Sequence, residues 1–225
     1  MADDLSAKLK AAAEGKVGGK ALTSRFGLDC FALVDTLLRS LGAATAADGD
    51  VKVTATADYD WGDGIFLDSI QPGDILQFRK HVVHISTFTF ANNQWYETET
   101  VTLTRPHHTA IVISVNKDGS VTVVEQNVYP NPGKVTRNVI PRLEAGEVTR
   151  NVSSEKKIKI KVTGDVKAYR AIPKPEKGAS LMHPSQSVPV GGTRMLASVV
   201  PSQGGAKRVP GPLGMEARRP DDGPT

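Results

Sequence analysis

Two runs of alternating, valine-rich sequence, His108 to Val115 and Val121 to Gln126, flank the tetrapeptide Asn116-Lys117-Asp118-Gly119. Asp-Gly between two such runs is the strongest local signal in the chain, because a tight hairpin needs residues that tolerate positive φ. A hairpin here places the start of the first strand opposite the end of the second, so His108 and Glu125 become neighbours. Side chains alternate along a strand, which puts Glu125 and Asn127 on one face and Gln126 on the other.

The same alternation recurs on either side of the hairpin. Pro72-Gly73 suits the centre of a type II turn and feeds a strand through Ile75-Leu76-Gln77-Phe78. Val82 to Phe90 and Gln94 to Leu103 read as a further hairpin around Ala91-Asn92-Asn93. Lys157 to Val162 has a period of two with its lysines toward solvent, and a final strand is expected over Val166 to Ile172. Ala43 to Asp63 reads as loop apart from a weak alternating piece, Val51 to Thr56. Two helices precede the strands. Residues 3 to 16 carry Leu5, Leu9, Ala12 and Ala13 at helical spacing, and a second helix opened by Asp29 aligns Phe31, Val34, Leu38 and Leu41 before Gly42. The fold class expected is α+β, N-terminal helices packed on an antiparallel sheet.

Of the 225 residues, 1–172 carry this pattern. Beyond Ile172 come nine of the 14 prolines, with repeated glycine, so residues 173–225 read as a disordered tail that buries too little surface to offset its ordering entropy. Its Lys207-Arg208 and Arg218-Arg219 pairs, and the net charge of +4, suit an anionic partner, although no nucleic-acid motif accompanies them. No apolar run approaches a signal-peptide core or a membrane span, so the expectation is synthesis in the cytoplasm without an export signal. A single cysteine excludes an intramolecular disulfide.

That cysteine, Cys30, stands at the first turn of the second helix, where unpaired backbone N–H groups and a partial positive charge favour thiolate. A thiol-dependent site needs an imidazole to take and return the proton and a polar group to orient the ring. His108 and Glu125 supply them, and Asn127 shares the face of Glu125. An inward carboxylate after three valines is costly unless paired, which favours a built site over an isolated polar residue.

Asp29-Cys30-x-x-Leu33-Val34, Gln71-Pro72-Gly73-Asp74-Ile75-Leu76-Gln77-Phe78, His108-Thr109-Ala110-Ile111-Val112 and Val124-Glu125-Gln126-Asn127, in that order, resemble the CHAP and NlpC/P60 cysteine amidohydrolases over roughly residues 5 to 140. The resemblance implies a papain-like fold and cleavage of amide bonds in peptidoglycan peptides. It makes Cys30 the nucleophile, His108 the base, Glu125 the orienting group and Asn127 a further polar member, with the Cys30 N–H in the oxyanion hole. His107 stands where such proteins carry a small residue, so the strand that follows must decide between the two histidines. The insert over 79–105, with Trp95, Tyr96 and Glu97, reads either as a lid or binding hairpin or as extra sheet. Delivery to a cell wall would then need phage lysis or a dedicated secretion route.

Alternatives come from other classes. One is a non-catalytic binding or structural module with the same fold; another is a protein-directed thiol protease or acyltransferase. Metal binding by His81-x-x-His84 and His107-His108 is disfavoured, because residues one or three apart on a strand point to opposite faces. No cofactor is expected.

Overall fold

The computed structural model describes residues 2–24, 30–49, 53–54 and 57–175. Asp29, the Val51 to Thr56 segment in large part, and residues 176–225 of the expected tail lie outside them. The architecture is α+β: helices α1 (Ala2–Glu14) and α2 (Cys30–Ser40) lie on a seven-stranded antiparallel sheet. The strands are β1 (Asp63–Ile65), β2 (Ile75–Ala91), β3 (Gln94–Val115), β4 (Val121–Val128), β5 (Asn131–Ile140), β6 (Gly146–Asn151) and β7 (Lys156–Arg170). Their order is β1-β7-β2-β3-β4-β5, with β6 against the remaining part of β7.

Four-residue spacing puts Leu5, Leu9 and Ala13 of α1 on one buried stripe, beside Phe31, Leu33, Val34, Leu37 and Leu38 of α2. The sheet answers with Ile75, Ile111, Ile113, Val124, Val135 and Tyr169. Each such leucine or phenylalanine contributes about 2 kcal/mol by leaving water. Gly42 closes α2, its N–H donating to Arg39 O while Ala43 N–H donates to Leu38 O, as a Schellman ending requires. The opposite sheet face buries Leu76, Phe78, Ala110, Val112, Val121, Val123 and Ile140. The described chain stays attached past Ile172: Lys174 N–H donates to Gly42 O and its Nζ to Asp48.

Several sequence-derived strands merge. Ile75–Phe78 and Val82–Phe90 are parts of one 17-residue strand, and Gln94–Leu103 continues through His108–Val115 as one of 22 residues. Asn92 and Asn93, both at positive φ (49° and 60°), make the hairpin turn between them. The insert over 79–105 is therefore additional sheet, an arm flanked by β7 along most of its length. The type II turn forms as expected, with Gly73 at φ 92° and Asp74 N–H donating to Gln71 O. Strands β1, β5 and β6 have no counterpart in the sequence-derived pattern.

A kink separates the arm from the rest of the sheet. Lys80 sits at φ 49°, the β2–β7 ladder slips between Arg79 and Val82, and the β2–β3 ladder skips the pair of Lys80 with Pro106, which has no N–H to donate. Across the sheet stands Gly164, at φ 87°, where an added Cβ would be 2.1 Å from Lys80 O. Gly164→Ala is expected to destabilise the protein by about 2–3 kcal/mol, from both the left-handed backbone and the collision. Urea unfolding of the two proteins measures it, and equal midpoints would contradict this account of the kink.

Candidate active site

Cys30 is delivered by three sets of contacts. Phe31, the next residue, packs its ring against Tyr59 and Trp61 at centroid distances of 4.9 and 5.1 Å, which holds the first turn of α2. Trp61 Nε1–H donates to Gln77 Oε1 at 3.1 Å. Gln77 in turn accepts from Thr109 Oγ1 and donates through Nε2 to His108 O. On the approach to α2, Leu22 exchanges two hydrogen bonds with the buried Gln126 amide, N–H to Oε1 at 2.9 Å and Nε2–H to the Leu22 carbonyl at 3.1 Å.

The two histidines part as strand alternation requires. His107 turns toward the helix side, where its Nε2 meets Ala57 O and its ring meets Tyr59 edge-on at 5.4 Å. His108 turns the other way and is buried, with Nε2 3.0 Å from Glu125 Oε2. That contact is an ion pair by distance and lies off the N–H axis, so Nε2 makes no aligned hydrogen bond. The Cys30 thiol acts on the same ring, each group shifting the other's protonation. Since Nε2 faces the carboxylate, Nδ1 is the nitrogen left for sulfur. The β3–β4 ladder ends at Ile111 and Val124, and the imidazole and the Glu125 carboxylate occupy the place where the strands part.

Glu125 is fully buried and held by more than the histidine. Arg105, 3% exposed, donates from Nε to Oε2 at 2.9 Å and from a terminal nitrogen to Oε1. Asn138 Nδ2 adds a bond of 2.9 Å to Oε1. Burial alone would raise the carboxyl pKa; Arg105 and then His108 reverse this and bring it to about 2. Burial likewise pushes the His108 imidazole down, but Cys30 and Glu125 outweigh it and lift the ring to about 9. For Cys30 burial disfavours the thiolate, and the hydrogen bond and charge of His108, with Thr109, overcome it, so the thiol titrates below its ordinary 9.0. The arrangement favours a thiolate–imidazolium pair at neutral pH.

Three of the four sequence-derived site residues thus come together: Cys30, His108 and Glu125. Asn127 goes elsewhere. It has φ 61° at the bulge that ends β4, which breaks the alternation with Glu125, and its Oδ1 accepts the Gly133 N–H at 2.8 Å near the start of β5. Arg105 and Asn138 occupy the polar positions around the carboxylate, and strand alternation did not reveal either. Among the described residues the remaining imidazoles are dispersed: His81 Nε2 lies 3.3 Å from Leu143 O, and His84 Nδ1 lies 3.0 Å from Thr102 Oγ1.

Iodoacetamide labelling of the sole cysteine checks the pairing. The rate is expected to hold up well below the pH at which an ordinary thiol slows, and His108→Ala is expected to cut it about tenfold or more at pH 6.5. Equal rates in both proteins would contradict the pair. For Glu125 the folded pKa lies below the ordinary 4.5, so its stabilising contribution is complete above pH 4.5 and is lost as pH falls toward 2. Arg105→Met/Glu125→Leu is expected to show a shallower loss of unfolding free energy across that window. A slope identical to that of the parent would contradict the assignment.

The family description "AIM3/BBC1 Cysteine proteinase-fold domain" matches residues 29–179, which begins one residue before the thiol and ends beyond β7. No curated protein and no solved structure matches the chain. The match carries the cysteine proteinase fold and does not distinguish the CHAP or NlpC/P60 branch. Helix α2 with the cysteine at its start, the antiparallel sheet and the matched span agree, and the chain belongs to the AIM3/BBC1 cysteine proteinase-fold domain family.

Proposed function

We propose that this domain is a cysteine-dependent amide hydrolase using Cys30 as nucleophile, His108 as acid and base, and Glu125 to orient and charge-stabilise the ring. The observation that supports it most is the buried carboxylate 3.0 Å from an imidazole whose other side meets the thiol. A carboxylate desolvated to this degree is costly, and its value lies in stabilising imidazolium.

In the reaction, the Cys30 thiolate attacks the amide carbonyl carbon and the carbonyl oxygen takes up the negative charge. The Cys30 N–H, at the start of α2, is the donor proposed for that oxyanion. Collapse breaks the C–N bond as the His108 imidazolium gives its proton to the departing amine, leaving a thioester. Water then attacks the thioester, losing its proton to His108, and the released thiolate restores the pair. Peptidoglycan peptides, the substrates implied by the CHAP and NlpC/P60 resemblance, are one class of amide within this proposal.

Purified protein incubated with defined muropeptides and with a mixed peptide library, with products read by mass spectrometry, tests it. Expected are paired products with a new amine and a new carboxylate, lost in Cys30→Ala and slowed about 10²- to 10⁴-fold in His108→Ala. No cleavage of either set by the parent protein would refute the hydrolase and leave a non-catalytic module of the same fold.

A further inference from the structure

Strand β3 is paired with β2 over nearly all its length, but β4 reaches it only from Ile111 to Val115. Among the described residues, Gln94 to Ala110 have no strand on their other side. Residues 94–102 and Thr104 are exposed. An open edge of this length is a template for another strand, and proteins that keep such an edge unpaired usually blunt it with lysine or proline. Neither residue occurs between Gln94 and Thr104, and Pro106 is the one such residue on the whole open edge.

The inner end of the edge meets the thiol. Cys30 Sγ lies 3.9 Å from His107 O, so the thiol touches the backbone of β3 itself. The outer part of β3 itself carries only negative charge: between Gln94 and Thr104 its charged residues are Glu97 and Glu99. The lysines of β7 project from the strand beyond β2: Lys159 pairs with Glu147 at 2.9 Å and its charge also acts on Glu97, while Lys157 reaches across β2 to lie 4.2 Å from the Trp95 ring centroid.

We propose that an extended basic polypeptide segment adds as a strand to the open edge of β3 and is led along it to Cys30. This rests on the hydrolase reading and names its substrate class: an unstructured peptide chain with lysine or arginine some distance from the scissile amide. Glu99 and Glu97 precede His107 by eight and ten residues, about 26–33 Å of strand, which sets that distance. Main-chain hydrogen bonds supply affinity, and the two glutamates select charge.

The probe is a fluorescein-labelled 16-residue peptide of threonine, serine and valine with two lysines, added to the full-length Cys30→Ala protein and followed by anisotropy. Two N-methylated versions carry the methyl groups on alternate residues, in one frame or the other. Expected is saturable binding, lost at least tenfold in one methylated frame and retained in the other, because only one edge of the peptide faces β3. Glu97→Lys/Glu99→Lys is expected to weaken the lysine peptide about tenfold and to improve a glutamate version. Methylation leaves the protein unaltered, so its outcome stands even if the charge reversal disturbs folding. No binding, or equal binding of both methylated frames, overturns the proposal. So does a dimer seen by sedimentation and broken by Glu99→Lys, which would assign the edge to a second copy. Binding through one frame without turnover by the parent protein supports edge docking and refutes the hydrolase. Turnover of a short amide with no edge binding does the reverse.

Discussion

The guanidinium of Arg105 against the carboxylate of Glu125 is the contact on which the rest of the site depends. Both side chains are removed from water, and a carboxylate in that position without a cation would take up a proton instead of carrying charge. Neutral Glu125 would remove one of the two groups that keep the imidazole protonated, the other being Cys30 itself, and a neutral imidazole would no longer favour the thiolate of Cys30. Each ionisation supports the next, from Arg105 through Glu125 and His108 to sulfur. Asn138 completes the carboxylate's partners from a different strand, which ties the site to the β4–β5 pair.

The kink at Lys80, Pro106 and Gly164 makes that chain of contacts possible. In an unbroken strand, residues 105 and 108 would point to opposite faces. With the ladder interrupted between them, the arginine and the histidine both reach Glu125. The same interruption sets off the arm, which explains why the strand carrying the histidine runs so far past the site. On the helix side, the ring cluster of Phe31, Tyr59 and Trp61 and the amides of Gln77 and Gln126 hold the thiol against the strand from which the imidazole projects.

Much of this could be read from the residues themselves, for identifiable reasons. The turn at Asn116 to Gly119 is short and leaves few registers, so the proximity of His108 and Glu125 was legible, although the bulge between Val112 and Ser114 that sets their final register was not. Cys30 was legible because the stripe of Phe31, Val34 and Leu38 announces a helix with the thiol at its start. Regular alternation failed at Asn127, turned aside by a positive φ, and beside Pro106, where the skipped pair with Lys80 conceals that Arg105 shares the site. Strand β5 escaped notice because Asn131-Pro132-Gly133 reads as turn, and only Val135 and Ile140 along it are buried.

The central claim is that a buried, arginine-held carboxylate keeps His108 charged beside a thiolate. Nuclear magnetic resonance of the ring nitrogens of His108, followed through a pH titration of the parent protein and of Glu125→Gln, tests it most directly. The account predicts an imidazolium that persists to about pH 9 in the parent and loses its proton at clearly lower pH in the variant. A His108 ring that titrates near 6.5 in both proteins would contradict it.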